Sequence, residues 1–134
     1  VKQHDVDFVD ETRIAIYNNN RFKRAKGTEV IGGNNVMIYD FATDSVSAPL
    51  KDAFASHEVR TDSEGLFTMF PNGDVFAEES VAGRLIKVSN DGSTSWEYFN
   101  RGADGSLYRM NWSRVVPRGE GNRLAEVLSQ TNCQ

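Results

Sequence analysis

The sequence predicts an all-β fold built from antiparallel four-strand meanders, and three observations carry that prediction. Residues 65–99 contain four runs, at 66–70, 75–79, 84–88 and 94–99, rich in β-branched and aromatic side chains that suit strands. Three short turn signals separate them: Pro71-Asn72-Gly73-Asp74, Ala82-Gly83 and Asn90-Asp91-Gly92. Proline can set φ at the first corner, and Asn-Gly and Asp-Gly can enter the positive-φ positions of tight hairpins. None of the runs is long enough, or periodic enough at helical spacing, to compete as a helix. Four short strands turned this tightly describe one propeller blade or one sheet of a sandwich.

The first half repeats the succession. Residues 4–9 alternate polar and apolar, 10–13 make a polar turn, and Ile14-Ala15-Ile16-Tyr17 resumes an apolar strand, which together predict a hairpin. Asn18-Asn19-Asn20 ends it. The basic, glycine-containing segment 21–27 lacks a period and reads as a loop, with a short irregular helix or a ligand-covering arm as alternatives. Residues 34–39 and 45–50 form a second strand pair around Phe41-Ala42-Thr43-Asp44. Placing Ile14-Ala15-Ile16 on Val75-Phe76-Ala77 and Met37-Ile38-Tyr39 on Leu85-Ile86-Lys87 exposes a weak internal repeat, with an insertion after Asn20 in the first copy. Insertions confined to one loop are expected where a repetitive scaffold carries a site in its loops.

The remaining stretches are connections. Residues 51–62 link the two units, and Ala53-Phe54-Ala55 can pack locally. After the turn-rich 100–105, residues 106–116 offer Leu107, Tyr108, Met110, Trp112, Val115 and Val116 as a final strand or hairpin limited by Pro117. Asn122 is the expected cap of a short peripheral helix with Leu124, Ala125, Val127 and Leu128 on its apolar stripe.

Composition narrows the function classes. With 134 residues, one domain is expected, long enough to bury a core. The 39% apolar and 25% charged content is that of a soluble globular chain. A formal charge of −4 and a pI near 5.1 give no global attraction to nucleic acid or an anionic membrane. No apolar window is long enough for a membrane span, and the N-terminus shows no signal-peptide pattern. Cys133, the one cysteine, can make neither an intrachain disulfide nor a multi-cysteine metal site. Nothing in the chain calls for a cofactor or a metal.

At this point the residues carry a resemblance. Gln3-His4-Asp5, followed by an apolar strand and Ile16-Tyr17-Asn18-Asn19, is similar to the Gln-His-Asp and Phe-Asp-Asn-like pattern of the arylsulfotransferase family. The stretch 66–76 with its Pro71-Asn72-Gly73-Asp74 turn resembles that family's Leu-Pro-Asn-Gly-Asn repeat. Gly83-Arg84-Leu85-Ile86, through Asp91-Gly92 to Trp96-Glu97-Tyr98, resembles the rest of its blade. The likeness covers about residues 3–116. It implies a β-propeller in which a channel-facing histidine transiently accepts a sulfuryl group and passes it to a phenol. It also implies an extracytoplasmic setting, periplasmic or secreted.

The resemblance places the nucleophile on His4, because imidazole can attack sulfur while guanidinium groups stabilise the sulfuryl oxygens. Arg109 and Arg114 flank the aromatic segment and are candidates for that anion; outward solvated arginines are the alternative. Asn18 and Asn19 match the loop after the family's apolar strand and either orient a ligand or hold the turn. Arg21, Lys23, Arg24 and Lys26 could draw an anion inward, but are too few for nucleic acid. His57, beside Glu58 and Asp62, reads as a surface ion-pair residue. Residues 89–96 nearly resemble the Asp-box turn of sialidase-like propellers, a structural feature. Glu78 and Glu79 point to opposite sides of a strand and are poor candidates for a paired-carboxylate glycosidase.

The expectation is therefore a partial propeller. Residues 1–116 supply about two blades plus strands of a third, and 117–134 a C-terminal tail with a short helix. A closed propeller takes at least four blades, so the chain is expected to be a piece of a longer one. The expected partners are an aryl sulfate or another small anionic ligand, and either missing blades or a second copy of the chain. The competing expectation is a noncatalytic propeller segment for ligand binding or assembly.

Overall fold

A computed structural model describes residues 3–131. Cys133 lies outside them. The chain opens with β1 (Gln3–Phe8) and β2 (Arg13–Asn18), then an inserted hairpin of β3 (Arg21–Arg24) and β4 (Gly27–Val30), then β5 (Asn35–Asp40) and β6 (Ser45–Ser47). The helix α1 (Lys51–Ser56) leads to β7 (Leu66–Met69), β8 (Val75–Glu79), β9 (Arg84–Val88) and β10 (Thr94–Phe99), and α2 (Arg118–Ser129) follows a long irregular stretch. Two antiparallel four-stranded sheets result, in the orders β1-β2-β5-β6 and β10-β9-β8-β7. The fold is all-β at this level, and the meander expected over 65–99 is present strand for strand.

Alternation explains the packing. Ala15, Tyr17 and Val36 of the first sheet meet Phe67, Val75, Ala77, Ile86 and Val88 of the second in one core cluster. Leu50, Phe54 and Val59 from the connection complete it, with Phe54 fully buried on α1. Complete burial of such a side chain contributes about 1.5–3 kcal/mol. Tyr17 stacks on Phe67 with ring centroids 6.4 Å apart. Because neighbouring residues on a strand face opposite ways, Val75 and Ala77 turn to the core while Phe76 and Glu78 turn away. Phe76 is covered by Trp96, 6.3 Å away.

Several expectations change. The segment read as a loop at 21–27 is one arm of the β3–β4 hairpin, in which Arg21 pairs with Val30 and Arg24 with Gly27. Its strands have no buried face, so they leave no period; the ladder and the Arg24–Glu29 ion pair at 3.2 Å hold them. The repeat alignment shifts by one residue in the second strands. Ala15 pairs with Ile38 and Ala77 with Ile86, so matching Ile38 to Ile86 sets Ala15, not Ile16, on Ala77.

The C-terminal region differs as well. Residues 106–116 form no regular strand, only a bridge between Arg101 and Leu107. Their hydrogen bonds go elsewhere: Tyr108 N–H donates to the Asn100 carbonyl (2.8 Å) and Met110 N–H to the Ser80 carbonyl (3.0 Å). The stretch therefore lies as a strap beside the end of β8. The helix α2 begins at Arg118 behind Pro117, whose fixed φ suits a helix entrance, and not at Asn122. No α2 residue is buried, and no helix among the described residues is long and apolar enough to cross a membrane.

His57 is not an ion-pair residue. Its Nε2 lies 2.8 Å from the Gly92 carbonyl, which can only accept, so Nε2 carries the proton and ties α1 to the β9–β10 turn.

Candidate functional site

The two sheets meet along their β1 and β7 edges. Asp5, the bulge residue of β1, accepts a hydrogen bond from the Phe67 N–H of β7 at 3.0 Å. Its φ of 51° is left-handed, and the register slips between His4 and Val6. A bulge breaks strict alternation, so consecutive residues are re-aimed to one side. His4 and Asp5 accordingly line the same groove, of about 320 Å³, with Glu64, Leu66, Glu78 and Trp112.

Backbone strain concentrates here. Six non-glycine described residues have positive φ, and three of them, Asp5, Glu64 (60°) and Trp112 (67°), line this one groove. An aromatic residue in that region is a steric outlier that surrounding contacts must impose. Those contacts are visible: Ser113 N–H donates to Glu78 Oε2 at 2.7 Å, beside the Met110 anchor. They fix the strap on both sides of Trp112, a residue 73% exposed.

The sequence candidates divide between groove, rim and wall. His4 is half-buried in the groove. Arg109 stands at the rim, exposed, and is paired with Glu64 at 3.3 Å. Arg114 lays its guanidinium 5.3 Å from the Trp112 ring centroid, a cation–π distance. Neither arginine lines the groove. Asn18 and Asn19 are buried, but only Asn19 stands behind the groove: Asn18 Nδ2 donates to Asn20 Oδ1 (2.7 Å) beside a separate hollow near Phe22 and Met37, and Asn19 Nδ2 donates to the carbonyls of Thr61 (3.1 Å) and Glu64 (2.8 Å). Asn19 thus holds the backbone of a groove residue from the inside.

Burial governs the charges around the groove. Glu78 is completely buried, its carboxylate accepting from Ser80 Oγ (2.6 Å) as well as Ser113 N–H. Glu79 faces the other way; burial pushes its carboxyl above the usual range, opposed by the Arg60 N–H and by Arg84, 3.1 Å away. Asp7 on β1 is also raised, first by burial and then by Asp5, with Arg114 opposing. Among the described residues no cluster of three or more His, Cys, Asp or Glu could hold a metal.

Sequence reasoning missed Asp5, Glu64 and Trp112 as groove residues. Asp5 sat inside the Gln3-His4-Asp5 motif, and Trp112 inside the aromatic segment between the two arginines. Nothing marked Glu64. A larger cavity, about 570 Å³, lies between the sheets near Val9, Leu50 and Met69. Its Arg13 is committed to Asp10 at 2.6 Å, and its described lining holds no histidine, cysteine, serine or lysine.

The profile of the arylsulfotransferase (ASST) family matches residues 1–101, a span that holds both four-stranded sheets, His4 and Glu78. No curated protein and no solved structure matches the chain. With the family profile covering well over half of its length, the chain belongs to the arylsulfotransferase family.

Proposed function

We propose that the chain supplies adjacent blades of a β-propeller enzyme that transfers a sulfuryl group from an aryl sulfate to a phenol, with His4 as the nucleophile. The observation that carries this reading is the groove at the β1–β7 seam, where His4 stands beside an exposed indole. Family membership supports the reaction class. The propeller is supported by the repeat: the first strand of each four-strand unit lies beside the first strand of the next, joined by Asp5 and Phe67. An extracytoplasmic setting belongs to the same reading.

In this mechanism a His4 ring nitrogen attacks sulfur, the S–N bond forms, and the S–O bond to the aryl group breaks, releasing the phenoxide. A phenol oxygen then attacks the same sulfur, loses its proton, and takes the sulfuryl group as the S–N bond breaks. Arg109 and Arg114, at the rim, are the groups that meet sulfuryl oxygens once Arg109 exchanges Glu64 for the substrate. Asn19 acts as a positioning residue through the Glu64 backbone it holds, and Asn18 holds the turn at Asn20.

A second reading, a noncatalytic segment for ligand binding or assembly, draws on one observation: among the described residues no arginine or lysine lines the groove itself. The two separate experimentally. In a protein carrying the complete propeller, His4→Ala is expected to lower transfer from 4-nitrophenyl sulfate to a phenol by roughly 10³-fold or more, with unchanged melting. Near-native transfer by the variant would reject the nucleophile and leave the second reading.

A further inference from the structure

Glu78 is out of keeping with its place in the sheet. It lies on β8 between Leu66 of β7 and Leu85 of β9, and its side chain is completely buried. The equivalent position in the first unit shows what the strand framework itself calls for. With Ala15 set on Ala77, Glu78 falls on Ile16, an aliphatic residue between Val6 and Met37. A carboxylate taken out of water at such a position costs free energy unless its oxygens are hydrogen-bonded. Both oxygens of Glu78 are: Oε1 accepts from Ser80 Oγ at 2.6 Å and Oε2 from Ser113 N–H at 2.7 Å. The side chain therefore serves the strap and not a ligand.

The bond to Ser113 leads directly to the groove. Ser113 follows Trp112, whose φ of 67° lies where a bulky L-residue stands only under the constraint of its surroundings. On the other side, Met110 N–H donates to the Ser80 carbonyl at 3.0 Å, so the end of β8 grips the strap before and after Trp112. Arg114, 5.3 Å from the indole centroid, rides on the same strap and moves with it. We infer that Glu78 is a positioning residue: its carboxylate holds the Ser113 N–H, that bond fixes the left-handed backbone of Trp112, and the indole so placed is the aryl-binding wall of the groove that His4 lines. The inference rests on the aryl ligand of the sulfuryl-transfer reading, but not on His4 acting as the nucleophile.

The test measures binding of 4-methylphenol, without a sulfate donor, to the 134-residue chain, followed by NMR through the phenol's own signals. Glu78→Ile, which installs the residue of the first unit, is expected to leave the sheet folded and to weaken 4-methylphenol about tenfold. In the same variant the Trp112 indole N–H signal should move, and the Ser113 amide should lose protection from exchange by tenfold or more while the Ile86 amide keeps its own. Trp112→Ala should weaken the phenol as much, and the double variant no more than either single one, because both changes remove the same wall. Glu78→Gln keeps an oxygen for Ser113 N–H and gains an N–H for the Ser80 hydroxyl, which can turn to accept. It should therefore restore binding and protection to within about threefold of the native chain. Additive losses, native-like binding by Glu78→Ile, a Glu78→Ile chain that fails to fold, or no binding of 4-methylphenol by the native chain would overturn the inference. Since no transfer is measured, the expected non-additive cycle combined with an active His4→Ala enzyme would sink only the sulfuryl-transfer reading. Additive losses with an inactive His4→Ala enzyme would sink only the role of Glu78.

Discussion

At the scale of single residues, buried carboxylates show how much of this molecule depends on pairing. Glu79 sits 2% exposed, with Arg84 donating to it and also to Glu97 and the His57 carbonyl. Removing Arg84 leaves that charge buried without a cation, which costs about 3–5 kcal/mol. The pH dependence follows from the direction of the shift. A carboxyl raised above its ordinary value of 4.5 binds its proton more readily when folded. Its ionised form is therefore penalised above that pH, and the penalty is relieved as pH falls through the raised value. Arg84 is one of the groups holding the value down, so its loss raises it further. Urea melts of Arg84→Met are expected to show a deficit at about pH 7 that shrinks toward about pH 5; a deficit that grows on acidification would contradict the assignment. His4 was singled out by the motif that carries it, whereas Asp5 stood inside the same motif with nothing to mark its bulge. Glu64 and Trp112 were not legible, since an L-residue at positive φ is imposed by distant hydrogen bonds that no local pattern records.

Elements were legible where turns punctuate alternation. Asn72-Gly73 and Asp91-Gly92 mark the corners of the second sheet, and Gly73 and Gly92 both take positive φ there. The hairpin of β3 and β4 and the strap at 107–114 bury no repeating face, so they left no period to read. The strap nevertheless shapes the groove, and Gly83 makes room for it. A Cβ on Gly83 would come within 2.1 Å of the Tyr108 carbonyl oxygen, at a φ of +63°. Gly83→Ala is thus expected to lift the strap and to destabilise the protein by about 1–3 kcal/mol. Hydrogen exchange checks it. The Met110 and Ser113 amides should lose protection by tenfold or more while the Ile86 amide in the core keeps its protection relative to global unfolding. Unchanged protection at those two amides would show that the strap is held without the space at Gly83.

For the whole molecule, two covered faces leave two uncovered ones. Val6, Phe8 and Val46 on the first sheet are 57%, 90% and 63% exposed, and Trp96 and Tyr98 on the second are 47% and 44% exposed. Outer faces this apolar call for another sheet or a second copy of the chain. Sedimentation velocity across the micromolar range is expected to show concentration-dependent association, weakened by Phe8→Lys; a strictly monomeric boundary would contradict it. The repeat of four strands could be read from the sequence, whereas the seam between the units could not, because it depends on the Asp5 bulge. That seam carries the central claim, that His4 accepts a sulfuryl group in the groove beside Trp112. The direct measurement is to expose a protein carrying the complete propeller to 4-nitrophenyl sulfate without an acceptor, and to map the adduct by mass spectrometry under alkaline conditions that preserve an N-sulfonated imidazole. The account predicts a sulfuryl adduct on the peptide carrying His4, discharged when a phenol is added. Transfer to the phenol with the adduct on a different residue, or with no dependence on His4, would contradict it.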